Sequence, residues 1–593
     1  MNAEMTLENR LAAVLRYHQT SKHRPDRYAP GPHGLDWANQ PEPFRTYAGA
    51  PRIDLKLAAD GLHIPFSVVR SGLRGEPQPF GRETVGILLE LSLGLSAWKA
   101  QGPSRWALRC NPSSGNLHPT EGYVVCAQLP HLAAGVYHYV SRDHALERRA
   151  NLDDAALPDS GLLLGLTSIH WREAWKYGLR AYRYCQHDVG HAIAAVAYAA
   201  AALGWKVRLL DSVSDASIAA LLGLDRETDF AEAEAEAPDV LLWVGADFPP
   251  DSLPLPTPFQ FQGHANRLSP EQVHWAGIDA VAEAAEQPTV PPEPCFIPPP
   301  LPPLTATEHP ALAVTIYRQR RSAVSFDGVT SLSAAAWFAM LDALLPRANA
   351  PPMDALPWRP RVAPVFFVHR VEEVAPGLYV LARDPDLLLI LQQKLRQDWT
   401  WQRVPHCPVH IPLYQLAPAD CRDTAQFIAC HQEIARDSAF AVGFIAECEP
   451  ILKQRPWRYR QLFWETGLLG QILYLEAEAA GVRGTGIGCF FDDAMHQMLG
   501  IADLSLQSLY HFTVGGPVED RRLQTLPPYA HLAQRKPNAI LQTSVTAAGT
   551  PLPLADGLIA AIALAHGFAV ATRDIAPFQA AGVEVIDPWE WRG

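Results

Sequence analysis

The chain nearly repeats itself. Displaced by 277 residues, Tyr182-Arg183 falls on Tyr459-Arg460, Asp188 on Glu465, Gly190 on Gly467, Gly204 on Gly481, Asp215 on Asp492 and Leu222-Gly223 on Leu499-Gly500. Apolar helical residues align readily by chance, whereas glycines that hold register across a long segment do not. A second displacement, 242, sets Gly135-Val136-Tyr137 on Gly377-Leu378-Tyr379. A chain of 593 residues is also too long for one hydrophobic core, so a tandem duplication is expected. From Gln287 to Pro303 the sequence is proline-dense, with Pro298-Pro299-Pro300 and Pro302-Pro303, which favours an extended, stiff connection. The resulting division is a first domain at 1–286, a connection at 287–304, a second domain at 305–537 and a tail at 538–593.

Helices are expected at Leu7 to His18 and Thr84 to Lys99, and strands at Gly122 to Gln128, Gly135 to Tyr139 and Val240 to Gly245. Trp171 to Gly204 reads as one long helix or as two joined near Gly178, with Gly204 as its stop. The Ala/Glu alternation from Ala231 to Ala237 reads as a solvated surface. A net charge of -13 argues against nucleic acid as a partner. The longest apolar run, Ala192 to Leu203, is too short to span a bilayer, so no membrane partner is expected. The Met1 end shows no basic region followed by an apolar run, and the nine cysteines form no CxxC pair. A cytoplasmic protein with reduced thiols is expected. His406-Cys407 with His410, and Cys430-His431, lack a second ligand pair, so no metal is expected.

Function concentrates at Arg109 to Thr120, RCNPSSGNLHPT. Pro112, Ser113, Ser114, Gly115 and Asn116 make a tight polar turn that suits the edge of a flat heterocycle, with Pro112 and Pro119 fixing entry and exit. Alone, such a tetrad is more often a plain surface turn. The wider segment PSSGNLHPTEGYVV resembles the flavin-contacting turn of the nitroreductase superfamily, specifically its SagB-type branch of azoline dehydrogenases. Tyr17 to Pro25, Gly34 to Trp37 and Lys176-Tyr177-Gly178 extend the resemblance, which covers most of residues 1 to 535.

The resemblance implies an α+β fold with two tandem FMN-dependent nitroreductase-like domains forming an intramolecular pseudo-dimer, followed by a short α/β tail. Nitroreductase-like proteins are intertwined homodimers with FMN at the interface, so each site draws on both halves. Here the halves keep different parts. The first has Pro112 to Asn116. The second has Arg320-Arg321-Ser322, which resembles the family's early Arg-x-Ser, and Gly484-Thr485-Gly486-Ile487-Gly488 opposite Val207 to Asp211. One FMN per chain is therefore expected, with one degenerate site.

On that resemblance, Arg320 and one of Arg521 or Arg522 meet the phosphate through paired, charge-assisted hydrogen bonds, and Ser322 adds a hydroxyl. Val324 stands where the family usually has another basic residue. Gly488 brings a backbone N–H to the N5 edge of the isoalloxazine, where a Cβ would obstruct approach. Pro112, Ser113, Ser114, Gly115 and Asn116 line the ring from the opposite half. Lys176 and Tyr177 match the Lys-Tyr motif of azoline dehydrogenases, in which flavin takes a hydride and a base takes a proton. Arg172, Lys176 and Arg180 also form one basic helical stripe, which by itself reads as a solvated face. His187 and His191 read as packing or hydrogen-bonding histidines.

Residues 549–560 and 571–574, ending in Asp587-Pro588-Trp589-Glu590, resemble the C-terminal part of VapC-type PIN domains, with Asp556 and Asp574 at acidic positions. The tail is too short for a whole PIN fold, so ribonuclease activity is not expected. It is expected to pack apolar Leu558 to Ala565 as a remnant. Three functions remain. One is oxidation of an azoline-like heterocycle, small or carried on a modified peptide. The others are NAD(P)H-dependent nitroreductase or quinone reductase activity, and a non-catalytic scaffold. Further oligomerisation stays open.

Overall fold

The structure, a computed structural model, describes residues 5–153, 157–158, 160–250, 253–304, 311–534 and, in the tail, 570–572, 578–579 and 585–586. Asp556, Asp574 and Leu558 to Ala565 lie outside the described residues. Met1–Pro528 form one compact unit and Tyr529–Gly593 a second. In the second unit the short strand Val570–Ala571 pairs in parallel with Val585–Ile586. Among the described residues, no helix is long and apolar enough to cross a membrane.

Two seven-stranded antiparallel sheets organise residues 1–528. The first runs Arg52–Asp54, Ala145–Asn151, Gly135–Val140, Thr120–Cys126, Gly161–Ser168, Ala237–Gly245 and Lys206–Leu209. The second runs Gln402–Arg403, Leu413–Pro418, Gly377–Leu381, Val362–Val368, Phe440–Glu447, Leu506–Gly515 and Arg483–Ile487. Alternation along the strands gives each sheet two apolar faces. Val124 and Val442 enter one core shared by both sheets, while Val125 and Ala441 face separate outer cores. The outer cores are closed by helices Asp215–Leu222, through Ile218 and Leu222, and Asp492–Leu499, through Met495 and Leu499.

Two 22-residue helices, Ala181–Ala202 and Arg458–Ala479, run through the shared core. From Ala192 to Ala202 eight of the eleven residues are alanine and none is charged, so the helix can be buried on every side. The two helices cross at Gly190 and Gly467. A Cβ on Gly190 would strike the Trp464 carbonyl, and one on Gly467 would strike the His187 carbonyl and stand 3.0 Å from the Gly190 Cα. His187 and Trp464 are themselves 277 residues apart. The ion pairs at the helix starts are reciprocal too. Arg183 binds Asp492 at 2.6 Å, and Arg460 binds Asp215 at 2.9 Å. The hydroxyl of Tyr137 donates to the Ala133 carbonyl and that of Tyr379 to the Ala375 carbonyl, each four residues back. Such exchange of partners between corresponding positions is what an isologous interface requires.

The N-terminal helix Leu7–Thr20 reaches across to the later half of the sequence. Its buried His18 meets the Tyr459 hydroxyl at 3.1 Å and Gln507 at 2.8 Å. Arg70 and Glu476 form a buried bidentate pair over the same boundary.

Three local expectations need correction. The helix expected from Thr84 to Lys99 covers Arg82–Ser92. The chain turns at Gly94, whose amide returns to the Leu89 carbonyl, and Leu95–Gln101 is a strand paired with Ser104–Arg109 and Gln524–Leu526. The Ala231 to Ala237 segment is not a solvated face, because Glu234 accepts hydrogen bonds from the Leu268 and Ser269 amides, and buried Glu236 faces Arg45 and Thr167. The basic stripe is likewise buried at both ends. Arg172 binds Glu121, and Arg180 binds Asp492 at 3.0 Å. The segment expected as one helix or two is two, His170–Tyr177 and Ala181–Ala202, joined by a single 3-10 turn at Gly178–Arg180.

Candidate active site

A cavity of about 460 Å³ gathers most of the residues singled out in the sequence. Pro112, Ser113, Ser114, Gly115 and Asn116 form one wall, Arg320, Arg321 and Ser322 another, and Thr485, Gly486, Ile487 and Gly488 a third. The volume falls in the range of about 300–1,000 Å³ typical of small-molecule and cofactor sites.

The polar turn is held from below. Asp188, on the long helix Ala181–Ala202, accepts hydrogen bonds from the Ser114 amide at 3.1 Å and the Ser114 hydroxyl at 3.1 Å. The Ser113 hydroxyl accepts from the His118 amide, and the Asn116 side chain donates to the Ala107 carbonyl. Gly115, Asn116 and His118 all have positive φ, so the wall is a tightly constrained piece of backbone. Burial pushes the Asp188 carboxyl up to about 7, against the hydrogen bonds from Ser113 and Ser114. Glu173 is pushed up as well, by burial and then by the charge of Asp188.

Lys176 and Tyr177 meet this turn at Gly115. A Cβ at Gly115 would stand 2.5 Å from the Tyr177 hydroxyl and 3.2 Å from the Lys176 Nζ. Tyr177 lines the cavity, and the Lys176 Nζ lies 5.2 Å from its ring centroid. Burial, followed by the charge of Glu173, raises the Tyr177 phenol well above its ordinary range and keeps it protonated.

Arg320 is buried, and its guanidinium donates to the carbonyls of Cys110 and Arg109 while packing over the Tyr474 ring at 4.9 Å. Its Nη1 has no hydrogen-bond partner among the described residues. Such an orphan on a cavity wall is unfavourable unless an acceptor meets it. Ser322 shares a hydrogen bond with Tyr474, whose hydroxyl also accepts from the Gly486 amide at 3.0 Å. Lys99, Arg109, Arg321 and Arg483 add positive charge to the lining. A Cβ at Gly488 would collide with the Tyr184 ring, so the backbone passes closely there.

Arg521 and Arg522 do not line the cavity; Arg522 is exposed and pairs with Asp520 at 2.7 Å. Arg483 and Lys99 take up the basic positions instead. Lys99 carries little sequence signal because it falls in the segment expected as a helix, whereas Arg483 stands immediately before the glycine loop. Asp188 stands out in sequence only as a repeat position, and its support of the turn is visible only in the structure.

An unpaired buried guanidinium beside further cations suits an anionic phosphate, and a constrained polar turn facing closely approaching backbone suits a flat ring. The donor set thus fits a flavin mononucleotide, with Arg320, Arg321 and Ser322 toward phosphate and Pro112 to Asn116 with Gly488 toward the ring.

A smaller cavity of about 250 Å³ has a corresponding construction. It is lined by Glu465 and Arg208, whose counterparts at 277 residues, Asp188 and Thr485, line the larger one. Strand Val362–Val368 matches Thr120–Cys126 at the 242 displacement, which sets Asp354 to Trp358 on the Pro112 to Asn116 turn. The connection enters here, with Cys295, Phe296, Ile297 and Pro298 in the wall and the Phe296 amide donating to the Pro357 carbonyl at 2.7 Å.

Comparison with known proteins supports this reading. The model of the nitroreductase family matches residues 88–232. The crystal structure of a candidate nitroreductase from Anabaena variabilis is similar with a TM-score of 0.62 at 22% identity, covering 85% of this chain and 99% of that one. The trifolitoxin-processing protein TfxB of Rhizobium leguminosarum bv. trifolii is 30% identical over 171 residues, 25% of this chain and 46% of that protein. The plasmid stability protein StbB of Pseudomonas syringae pv. tomato is 58% identical over 55 residues, 9% of this chain and 40% of StbB, a length close to that of residues 538–593. The chain spans less than half the length of each of these curated relatives. The nitroreductase family model thus matches a stretch within the first half, 88–232, of a chain that shares the fold of the Anabaena protein over most of its length.

Proposed function

We propose that the chain is a tandem duplication acting as an intramolecular pseudo-dimer, an FMN-dependent oxidoreductase of the SagB type with one composite site. The observation that carries this reading is the 460 Å³ cavity, which joins Pro112 to Asn116 from the first half to Arg320, Ser322 and Gly488 from the second. Bound there, FMN supplies a hydride acceptor. Arg320, whose Nη1 is without a partner among the described residues, would hold the phosphate, and Asp188 keeps the Ser113 to Asn116 turn in place through the Ser114 amide. Tyr177, held as a neutral phenol, orients the substrate by donating a hydrogen bond. Lys176, as the neutral amine, takes the proton released as the substrate loses its hydride, and the resemblance of Lys176-Tyr177 to the azoline dehydrogenase motif favours an azoline-like heterocycle as that substrate. Similarity to a protein named for trifolitoxin processing supports a ring carried on a modified peptide.

The test is the flavin released on heating, counted per chain, followed by Lys176→Met. About one FMN per chain is expected, and the variant is expected to lose about 10²–10⁴-fold in azoline oxidation, the usual worth of a positioned acid or base. If the variant keeps azoline oxidation, Lys176 is not the base. If NAD(P)H reduces the flavin and azolines do not, the nitroreductase reading replaces this one. A wild-type chain that takes up no flavin is a scaffold.

A further inference from the structure

Cys489 follows Gly488 and lines the same cavity. Its Sγ lies 2.7 Å from the Sγ of Cys430, inside ordinary sulfur contact, and both residues are partly exposed. Two separate loops make this meeting. Cys430 and His431 both have positive φ, at 53° and 62°, an unusual backbone for residues other than glycine, and it carries the Cys430 side chain toward the glycine loop. Gln432, another cavity residue, ties the loops together by donating to the Ala429 carbonyl at 2.8 Å and the Cys489 carbonyl at 3.0 Å.

The surroundings favour a thiolate on Cys489. The Ala29 amide donates to Nδ1 of His23, which leaves the proton of the neutral ring on Nε2, and His23 hydrogen-bonds the Cys489 thiol. Arg180 donates from Nε and Nη2 to the Gly488 carbonyl at 3.2 and 3.0 Å, placing its charge beside the next residue. The Cys430 thiol and His23 draw Cys489 down to about 5 against the opposing effect of burial, while Cys430 is raised. An attacking thiolate beside a protonated resolving thiol is the arrangement of a dithiol couple.

We propose that Cys430 and Cys489 are a redox-active dithiol–disulfide pair that exchanges an electron pair with the flavin of the adjoining cavity. In the forward direction one sulfur–sulfur bond forms. The two thiols lose two electrons and two protons, and the oxidised flavin takes up both electrons with protons to become the reduced flavin. The inference rests on the flavin reading and adds to it an outlet for electrons: run in reverse, the disulfide takes the two electrons and two protons that substrate oxidation leaves on the flavin, and the sulfur–sulfur bond breaks to two thiols.

The experiment uses the full chain with its flavin counted. Air-equilibrated protein is denatured, alkylated and digested, and the Cys430 and Cys489 peptides are weighed. A separate sample is equilibrated anaerobically with dithiothreitol while flavin absorbance near its visible maximum is followed. The Cys430 and Cys489 peptides are expected joined, two mass units below their reduced sum, and the wild-type flavin is expected to bleach. Cys430→Ser and Cys489→Ser are each expected to retain flavin and to bleach at least tenfold more slowly. Full alkylation of both cysteines in the air-equilibrated, flavin-loaded protein overturns the inference, as does bleaching that either serine variant leaves unchanged. A chain with no flavin band overturns the function proposed above as well, so the two failures are told apart in one sample.

Discussion

The two cavities differ in what has been done to the same framework. In the larger one Asp188 braces a turn of small polar residues, and the second half brings glycine and threonine. In the smaller one Glu465 binds Arg383 and accepts from the Arg361 and Val362 amides, Arg208 replaces Thr485, and Trp358 with Phe296 fills the wall. A carboxylate on a buried helix survives in both places, but in one it presents a binding turn and in the other it is consumed by packing. Corresponding carboxylates on similar helices therefore meet different demands, set by a few neighbouring side chains.

The largest effect expected from breaking this correspondence is on stability. Asp492 answers Arg180, Arg183 and the His23 amide, whereas Asp215 answers Arg460 and the Gln287 amide. Removing one side of a buried pair costs about 3–5 kcal/mol. Asp492→Asn is expected at or above the top of that range and Asp215→Asn near the bottom, measured by urea unfolding of the full chain. Equal costs would mean that the extra arginine at Asp492 adds nothing.

Arg320→Ala against Arg208→Ala compares the two cavities directly. Loss of a charge-assisted hydrogen bond is worth about 1.5–3 kcal/mol, so Arg320→Ala is expected to weaken FMN binding by about 10–100-fold in a fluorescence titration. Arg208 stacks on Phe248 beside the smaller cavity, and its replacement should leave that titration unchanged. If both variants lose FMN equally, the two cavities are not functionally distinct.

Asp188 gives a smaller, pH-dependent effect. Its folded pKa is raised to about 7 from an ordinary value near 3.8, so between these values the native state holds a proton that the unfolded chain releases. The stability it contributes is complete below the ordinary carboxylate range and is lost as pH rises through 7. For one group the slope reaches at most about 1.4 kcal/mol per pH unit. Asp188→Asn should flatten the decline in stability between pH 4 and 7, read from unfolding midpoints across that range.

Glycine register, proline density and the polar turn are legible in sequence because each reflects a local physical demand. Gly190 and Gly467 keep register because the helix crossing allows no Cβ at either position. Pairing across sequence was much less visible. Glu234 and Glu236 looked solvated because their partners, the Leu268 and Ser269 amides and Arg45, lie far away in the chain. Arg172 and Arg180 looked like a surface stripe until Glu121 and Asp492 were brought to them. Arg521 and Arg522 drew attention as adjacent charges, but the cavity uses Arg483, whose position depends on the strand Arg483–Ile487 closing the second sheet.

The finest discrimination comes from a change expected to leave flavin stoichiometry as it is. Phe296→Ala removes the half-buried aromatic ring that the connection places against the smaller cavity, and it opens space beside Trp358. If the ring were the sole obstacle, a second FMN would now bind. However, the region opposite Pro112 to Asn116 carries Asp354 to Trp358, and Arg208 still occupies the position of Thr485, so neither a ring-binding turn nor close backbone becomes available. The variant is therefore expected to release the same single FMN per chain, with a modest fall in unfolding midpoint. Two FMN per chain would show that the smaller cavity is closed only by the connection and keeps a latent site.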